Sequence, residues 1–189
     1  MKKELDFDVS VDEKIGLGLL NNHIHFLCGE IDEDKIEDAI KWIVYENIQA
    51  ANNPKTLTMY VNSIGGSLTD SFGLIDIMKQ SRCPIRTIGI GSVVSAGFLI
   101  FASGHKGQRY IAKNTSIMCH QYSTNLEGKH HDIESSFKEA KLTNDRMIQV
   151  LKESTGLDTR TIKNKLLPAS DVWLTAEELI ALKVADHYL

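Results

Sequence analysis

Residues 57–80, Leu-Thr-Met-Tyr-Val-Asn-Ser-Ile-Gly-Gly-Ser-Leu-Thr-Asp-Ser-Phe-Gly-Leu-Ile-Asp-Ile-Met-Lys-Gln, place a strand, a turn and a helix in immediate succession. Residues 57–61 read as the strand, Asn62 to Ser67 as a tight glycine turn and residues 68–80 as the helix. Cys83-Pro84 breaks the chain, and residues 85–90 form the next strand. A strand, a crossover helix and a second strand at this spacing predict an α/β layered domain with parallel strands.

The flanking sequence repeats the pattern. Residues 23–28 read as a strand and residues 33–51 as a helix, with Ile36, Ile40, Ile43, Val44 and Ile48 at three- and four-residue steps. Asn52-Asn53-Pro54 stops that helix. Towards the C-terminus, Gly91-Ser92 leads into a small apolar helix over 94–102, and residues 108–119 read as two short strands around Lys113-Asn114. A long helix is expected over 132–155, with Gly156 as its cap, and a shorter one over 158–166. Trp173-Leu174 is extended, and Thr175-Ala-Glu-Glu178 is a capping box that opens the last helix. Residues 1–14 are polar and read as a mobile arm on a single domain spanning 1–189.

Composition excludes several classes. Apolar residues at 42% suffice for a core, and a net charge of −4 without a basic tract gives no electrostatic case for nucleic-acid binding. No apolar run reaches the ~18 residues of a membrane span. The charged start, Met1-Lys2-Lys3-Glu4, does not read as a secretory signal, and a reducing, cytoplasmic setting is expected. Cys28, Cys83 and Cys119 are too few and too spread for a disulfide framework, and read as reduced packing residues.

Two glycine-marked turns follow apolar strands. Gly65-Gly66 is either a structural turn or a nest of N–H groups able to hold an oxyanion. In Gly91-Ser92-Val93-Val94-Ser95-Ala96-Gly97, Ser95 stands at a helix start, as a cap or as a nucleophile with room for a substrate beside it. Of seven histidines, His120 is the best candidate base, because it ends the apolar strand Ser116 to Cys119. Cys119 itself points to the opposite face of that strand. Asp171, between Pro168 and Trp173, is either a turn acid or the carboxylate that orients an imidazole. His130-His131 lie in a polar stretch and read as solvated, without acidic partners at metal-binding spacing; no metal or cofactor is expected.

These motifs, in this order, resemble the proteolytic subunit of the Clp protease family. The resemblance rests on Phe26-Leu27-Cys28-Gly29-Glu30-Ile31, Tyr60-Val61-Asn62-Ser63-Ile64-Gly65-Gly66-Ser67, Gly91 to Gly97, Met118-Cys119-His120-Gln121 and Asp171-Val172-Trp173-Leu174-Thr175. It implies a crotonase-like spiral of β-β-α units with a protruding handle helix at 132–155. It implies Ser95 as nucleophile, His120 as general base and Asp171 as orienting acid, with the Gly66 and Ala96 N–H groups as oxyanion hole. It further implies seven-membered rings stacked as a tetradecamer, which receive unfolded polypeptide from an AAA+ Clp unfoldase through a pore lined by residues 1–14.

The sequence departs from the family at several positions. Ile64 replaces a proline, Val93-Val94 replace small residues, and Val172 replaces a basic residue. Thr58, Gln80 and Ala112 are less apolar than the family's unfoldase-docking pockets. A catalytically weak or structural subunit, sharing mixed rings with a paralogous chain, is the alternative reading. An acyl-CoA enzyme of the same superfamily is a third.

Overall fold

A computed structural model describes residues 10–125 and 127–189. The elements are α1 (Val11–Asn21), β1 (Ile24–Ile31), α2 (Glu33–Gln49), β2 (Leu57–Gly66), α3 (Leu68–Gln80), β3 (Ile85–Val94) and α4 (Ala96–Ala102). They continue with β4 (Arg109–Ile111), β5 (Ser116–Cys119), α5 (His130–Thr155), α6 (Thr159–Lys165), β6 (Val172–Leu174), α7 (Ala176–Ala181) and β7 (His187–Tyr188).

The sheet is ordered β1-β2-β3-β4-β7 with parallel neighbours. β3 branches it. Thr87–Gly89 pair with β4, whereas Ser92–Val94 pair with β5. Gly91, at φ 58°, sits between the two pairings, and a Cβ there would lie 2.5 Å from Asn62 Oδ1. Only glycine allows the strand to bend at this point while the Asn62 amide reaches across to accept from the Ser92 N–H at 3.0 Å. β6 runs antiparallel to β5, so the sheet is mixed rather than all-parallel. A short strand that enters from the 167–171 segment needs no crossover helix and can return beside β5.

The helices cover the sheet with their apolar faces. Ile36, Ala39 and Ile43 of α2 and Leu74, Ile75 and Met78 of α3 are buried, and all seven residues of α4 are buried. β2 alternates, with Leu57, Met59, Val61 and Ser63 inward. The capping box at Thr175 is present, with Thr175 Oγ1 accepting from the Glu178 N–H and Glu178 from the Thr175 N–H.

Several boundaries differ from the sequence reading, each for a local reason. Residues 1–9 of the expected arm lie outside the described residues. From Val11 the chain is helical, started by a capping box between Ser10 and Glu13. β2 continues through the glycine pair, because Glu30 and Ile31 pair with Gly65 and Gly66 across a bulge. β3 runs to Val94, and α4 begins only at Ala96. α5 begins at His130, two residues early, because Asp132 caps it by accepting from the Lys129 N–H at 3.2 Å. Cys83 and Cys119 are buried as expected, but Cys28 is exposed.

α5 has 26 residues, about 39 Å of helix. Its C-terminal half buries Met147, Ile148, Val150 and Leu151. Its N-terminal half leaves Ile133 and Phe137 in the open, Phe137 at 64% exposure.

Candidate active site

Ser95 is the joint between β3 and α4, with φ 55° and ψ −122°. For a residue with a Cβ this region costs about 1–3 kcal/mol and persists only where neighbours enforce it. Here they do. The Ser95 N–H donates to the Met118 carbonyl of β5 at 2.9 Å, and its carbonyl accepts from the Phe98 N–H at 3.0 Å. The hydroxyl does not cap α4. It lies instead 2.7 Å from His120 Nε2.

His120 is held one residue beyond β5. Strand alternation turns Cys119 into the core, where burial pushes its thiol up to about 12. A thiol so far from ionisation has no thiolate to offer, so Cys119 is a packing residue. The neighbouring ring of His120 is half-buried on the opposite face, beside Ser95. Gln121 fixes this strand end by donating from Nε2 to the Leu167 and Pro168 carbonyls at 2.9 and 3.1 Å.

Gly65 and Gly66 form the wall facing Ser95. A Cβ at Gly65 would fall 2.6 Å from Ser95 Cβ and 3.1 Å from its Oγ, so the two backbones touch. Ser63 Oγ accepts from the Gly65 N–H at 3.0 Å and sets that turn. The Ser67 N–H donates to the Ile31 carbonyl. In a parallel ladder alternate residues face each neighbour, which directs the Gly66 N–H away from β1. Ala96 is the first residue of α4, and its N–H is among the first-turn donors without an intrahelical acceptor. Of the residues that depart from the family motif, Val93 is fully buried in the core and Ile64 is 63% exposed.

Asp171 is exposed, and no nitrogen of His120 lies within 4.0 Å of its carboxylate. The register explains how near it is. β5 and β6 pair as Ile117 with Leu174, Met118 with Trp173 and Cys119 with Val172. The paired residues end there, and the same register carried one step further would set His120 opposite Asp171. The structure thus brings Ser95, His120 and Gly65-Gly66 together and leaves Asp171 adjacent but unbonded.

The other histidines serve elsewhere. His105 Nδ1 accepts from the Ile85 N–H, His23 pairs with Glu46, His25 stacks on Trp42 and His187 packs on Tyr110. Sequence reading missed Asn62, Ser63 and Gln121 as positioning residues. Asn62 and Gln121 act through bonds to backbone far along the chain, which the fold alone reveals, whereas Ser63 bonds the Gly65 N–H within its own turn. Beside Gln121 a cleft of about 560 Å³ opens between α5 and α6, lined in part by Asn144, Ile148, Leu167 and Pro168.

The family model for Clp protease matches residues 10–187, nearly the whole chain. The mixed α/β sheet, the strained serine joint and the histidine beside it agree with that match. The chain belongs to the Clp protease family, a family of serine peptidases.

Proposed function

We propose that this chain is the proteolytic subunit of an ATP-dependent Clp protease and cleaves peptide bonds of unfolded proteins with Ser95, His120 and Asp171. The observation that carries the reading is the 2.7 Å contact between Ser95 Oγ and His120 Nε2, at a backbone geometry that a serine adopts only under constraint. For hydrolysis, His120 carries its proton on Nδ1 and takes the Ser95 proton on Nε2 as Oγ attacks the carbonyl carbon. The resulting oxyanion accepts from the Gly66 and Ala96 N–H groups, each such donor being worth about 3 kcal/mol of barrier. His120 then protonates the leaving amine, the C–N bond breaks, and water attacks the acyl ester by the same path in reverse. Asp171, turned towards Nδ1, holds the tautomer and stabilises the imidazolium.

The assembly that accompanies this chemistry in the family is part of the proposal: heptameric rings stacked as a tetradecamer, an AAA+ unfoldase as feeder, and a cytoplasmic, stromal or matrix location. The open apolar stripe of α5 supports a partner on that helix. A second reading, a weak or structural subunit in mixed rings, has one specific observation in its favour: Asp171 is unbonded to His120. A fluorophosphonate probe and a fluorogenic peptide test both. Wild-type chain should label and cleave, and Ser95→Ala should do neither. An assembled chain that labels and cleaves no better than Ser95→Ala supports the structural reading instead.

A further inference from the structure

The early start of α5 changes what His130 and His131 can do. Because the helix begins at His130, Glu134 lies one turn on, at i+4 from His130 and i+3 from His131, on the same face. The Nδ1 atoms of His130 and His131 lie 3.6 and 3.8 Å from one and the same oxygen, Glu134 Oε2. Both separations are too long for hydrogen bonds. They are close to the spacing of two ligands on one tetrahedral ion, about 3.4 Å for bonds of about 2.1 Å. The two rings meet edge to face with centroids 5.6 Å apart, and one ligand atom from each of the three residues lies within 4.8 Å of the others.

We propose that His130, His131 and Glu134 form a binding site for a divalent transition-metal ion of the zinc class. Two imidazoles and one carboxylate are borderline nitrogen and oxygen donors, which favour Zn²⁺, Co²⁺, Ni²⁺ or Cu²⁺ over Ca²⁺ and Mg²⁺. Three protein ligands leave a tetrahedral ion one open position for water. The turn that carries them is fixed from below: the Lys129 N–H donates to Asp132 Oδ2, so Asp132 is committed to the cap and not to the ion. Glu134 has no lysine or arginine partner within 4.0 Å among the described residues, so its charge is available. All three side chains are well exposed, the least exposed at 66%, and an ion reaches them without any opening of the fold. Their exposure also sets the expected character: a reversible site rather than a closed structural centre.

The test is a titration of the full chain with Co²⁺, followed by visible absorption, and with Zn²⁺, followed by calorimetry. We expect one ion per chain in both. His130→Ala, His131→Ala and Glu134→Gln should each weaken binding about tenfold or more, since even outer-shell changes cost 10–100-fold. His120→Ala should bind as wild type, which separates this site from Ser95 and His120. Helical content, measured in parallel, shows that each variant is folded. Absence of a stoichiometric ion on the wild type at 100-fold excess, or unchanged binding by the triple variant, overturns the proposal. Neither outcome bears on peptidase activity.

Discussion

Ser95 Oγ stands where it does because position 65 has no side chain. Gly65 adopts φ 97°, and a methyl group there would press on Ser95 Cβ at 2.6 Å and on the Val94 carbonyl at 3.0 Å. Gly65→Ala therefore meets both backbone strain and a clash with the proposed nucleophile. We expect it to lower peptide cleavage at least about 100-fold, a loss comparable to removal of an oxyanion donor, and to suppress fluorophosphonate labelling in a chain that still folds. Asp171→Asn addresses the remaining member. Should Asp171 swing onto His120 in the assembled protein, the amide stabilises the wrong tautomer, and kcat should fall by about 10⁴ with KM little changed. A variant with wild-type kcat would show that Asp171 stays in solvent during turnover.

Elements with a strong internal period were legible in the sequence. α2 and α3 appear almost at their expected bounds because apolar residues recur at helical spacing and Pro54 and Pro84 punctuate them. Strand lengths were not legible. Gly65 and Gly66 belong to β2, and Gly91 to Val94 belong to β3, through pairings with residues far along the chain that no local pattern reports. For the same reason Ser95 and His120 stood out as residues, while the long-range bonds of Asn62 and Gln121 beside them did not. α1 was missed although Val11, Ile15 and Leu19 recur at four-residue steps behind the Ser10–Glu13 capping box; none of its residues is buried in the single chain. α5 leads to a prediction at this scale. Phe137 is 64% exposed and contributes little to the fold of one chain. Phe137→Ser should change the stability of the single chain by no more than about 0.5 kcal/mol, as for a surface change. If α5 joins copies as proposed, light scattering of the variant should show a smaller particle than the wild type. An unchanged particle would place the interface elsewhere.

At the scale of the molecule, one buried cation ties the C-terminus to the core. Arg109 is 2% exposed; its Nε and Nη2 donate to Asp186 at 2.8 and 2.6 Å, and its Nη1 donates to the Ala102 and Ser154 carbonyls at 3.3 and 2.9 Å. It thereby joins β4, α4, α5 and the segment before β7. Asp186→Asn leaves that guanidinium without its counter-charge, and should cost about 3–5 kcal/mol, read as a lower urea midpoint at unchanged slope. The pair also shapes the acid limb of stability. Burial pushes the Asp186 carboxyl up, but the hydrogen bonds and charge of Arg109, with the Gly107 and Arg109 amides, bring it below the ordinary value of 3.8. Its contribution is complete above that value and fades only as pH falls through the lower, folded one. His25 acts earlier. Its ring, stacked on Trp42, is held below the ordinary 6.5 by burial, against a smaller opposing pull from Asp38. The unfolded chain then binds this proton more readily than the folded one, so stability declines from about pH 6.5 downward. Urea midpoints between pH 7.5 and pH 3 should therefore fall in two stages. His25→Gln should reduce the first stage, leaving the part due to His105, whose ring is also held below 6.5 by burial, and spare the second. Asp186→Asn should do the reverse, and a wild-type midpoint that holds level between pH 7 and pH 5 would rule out the His25 contribution.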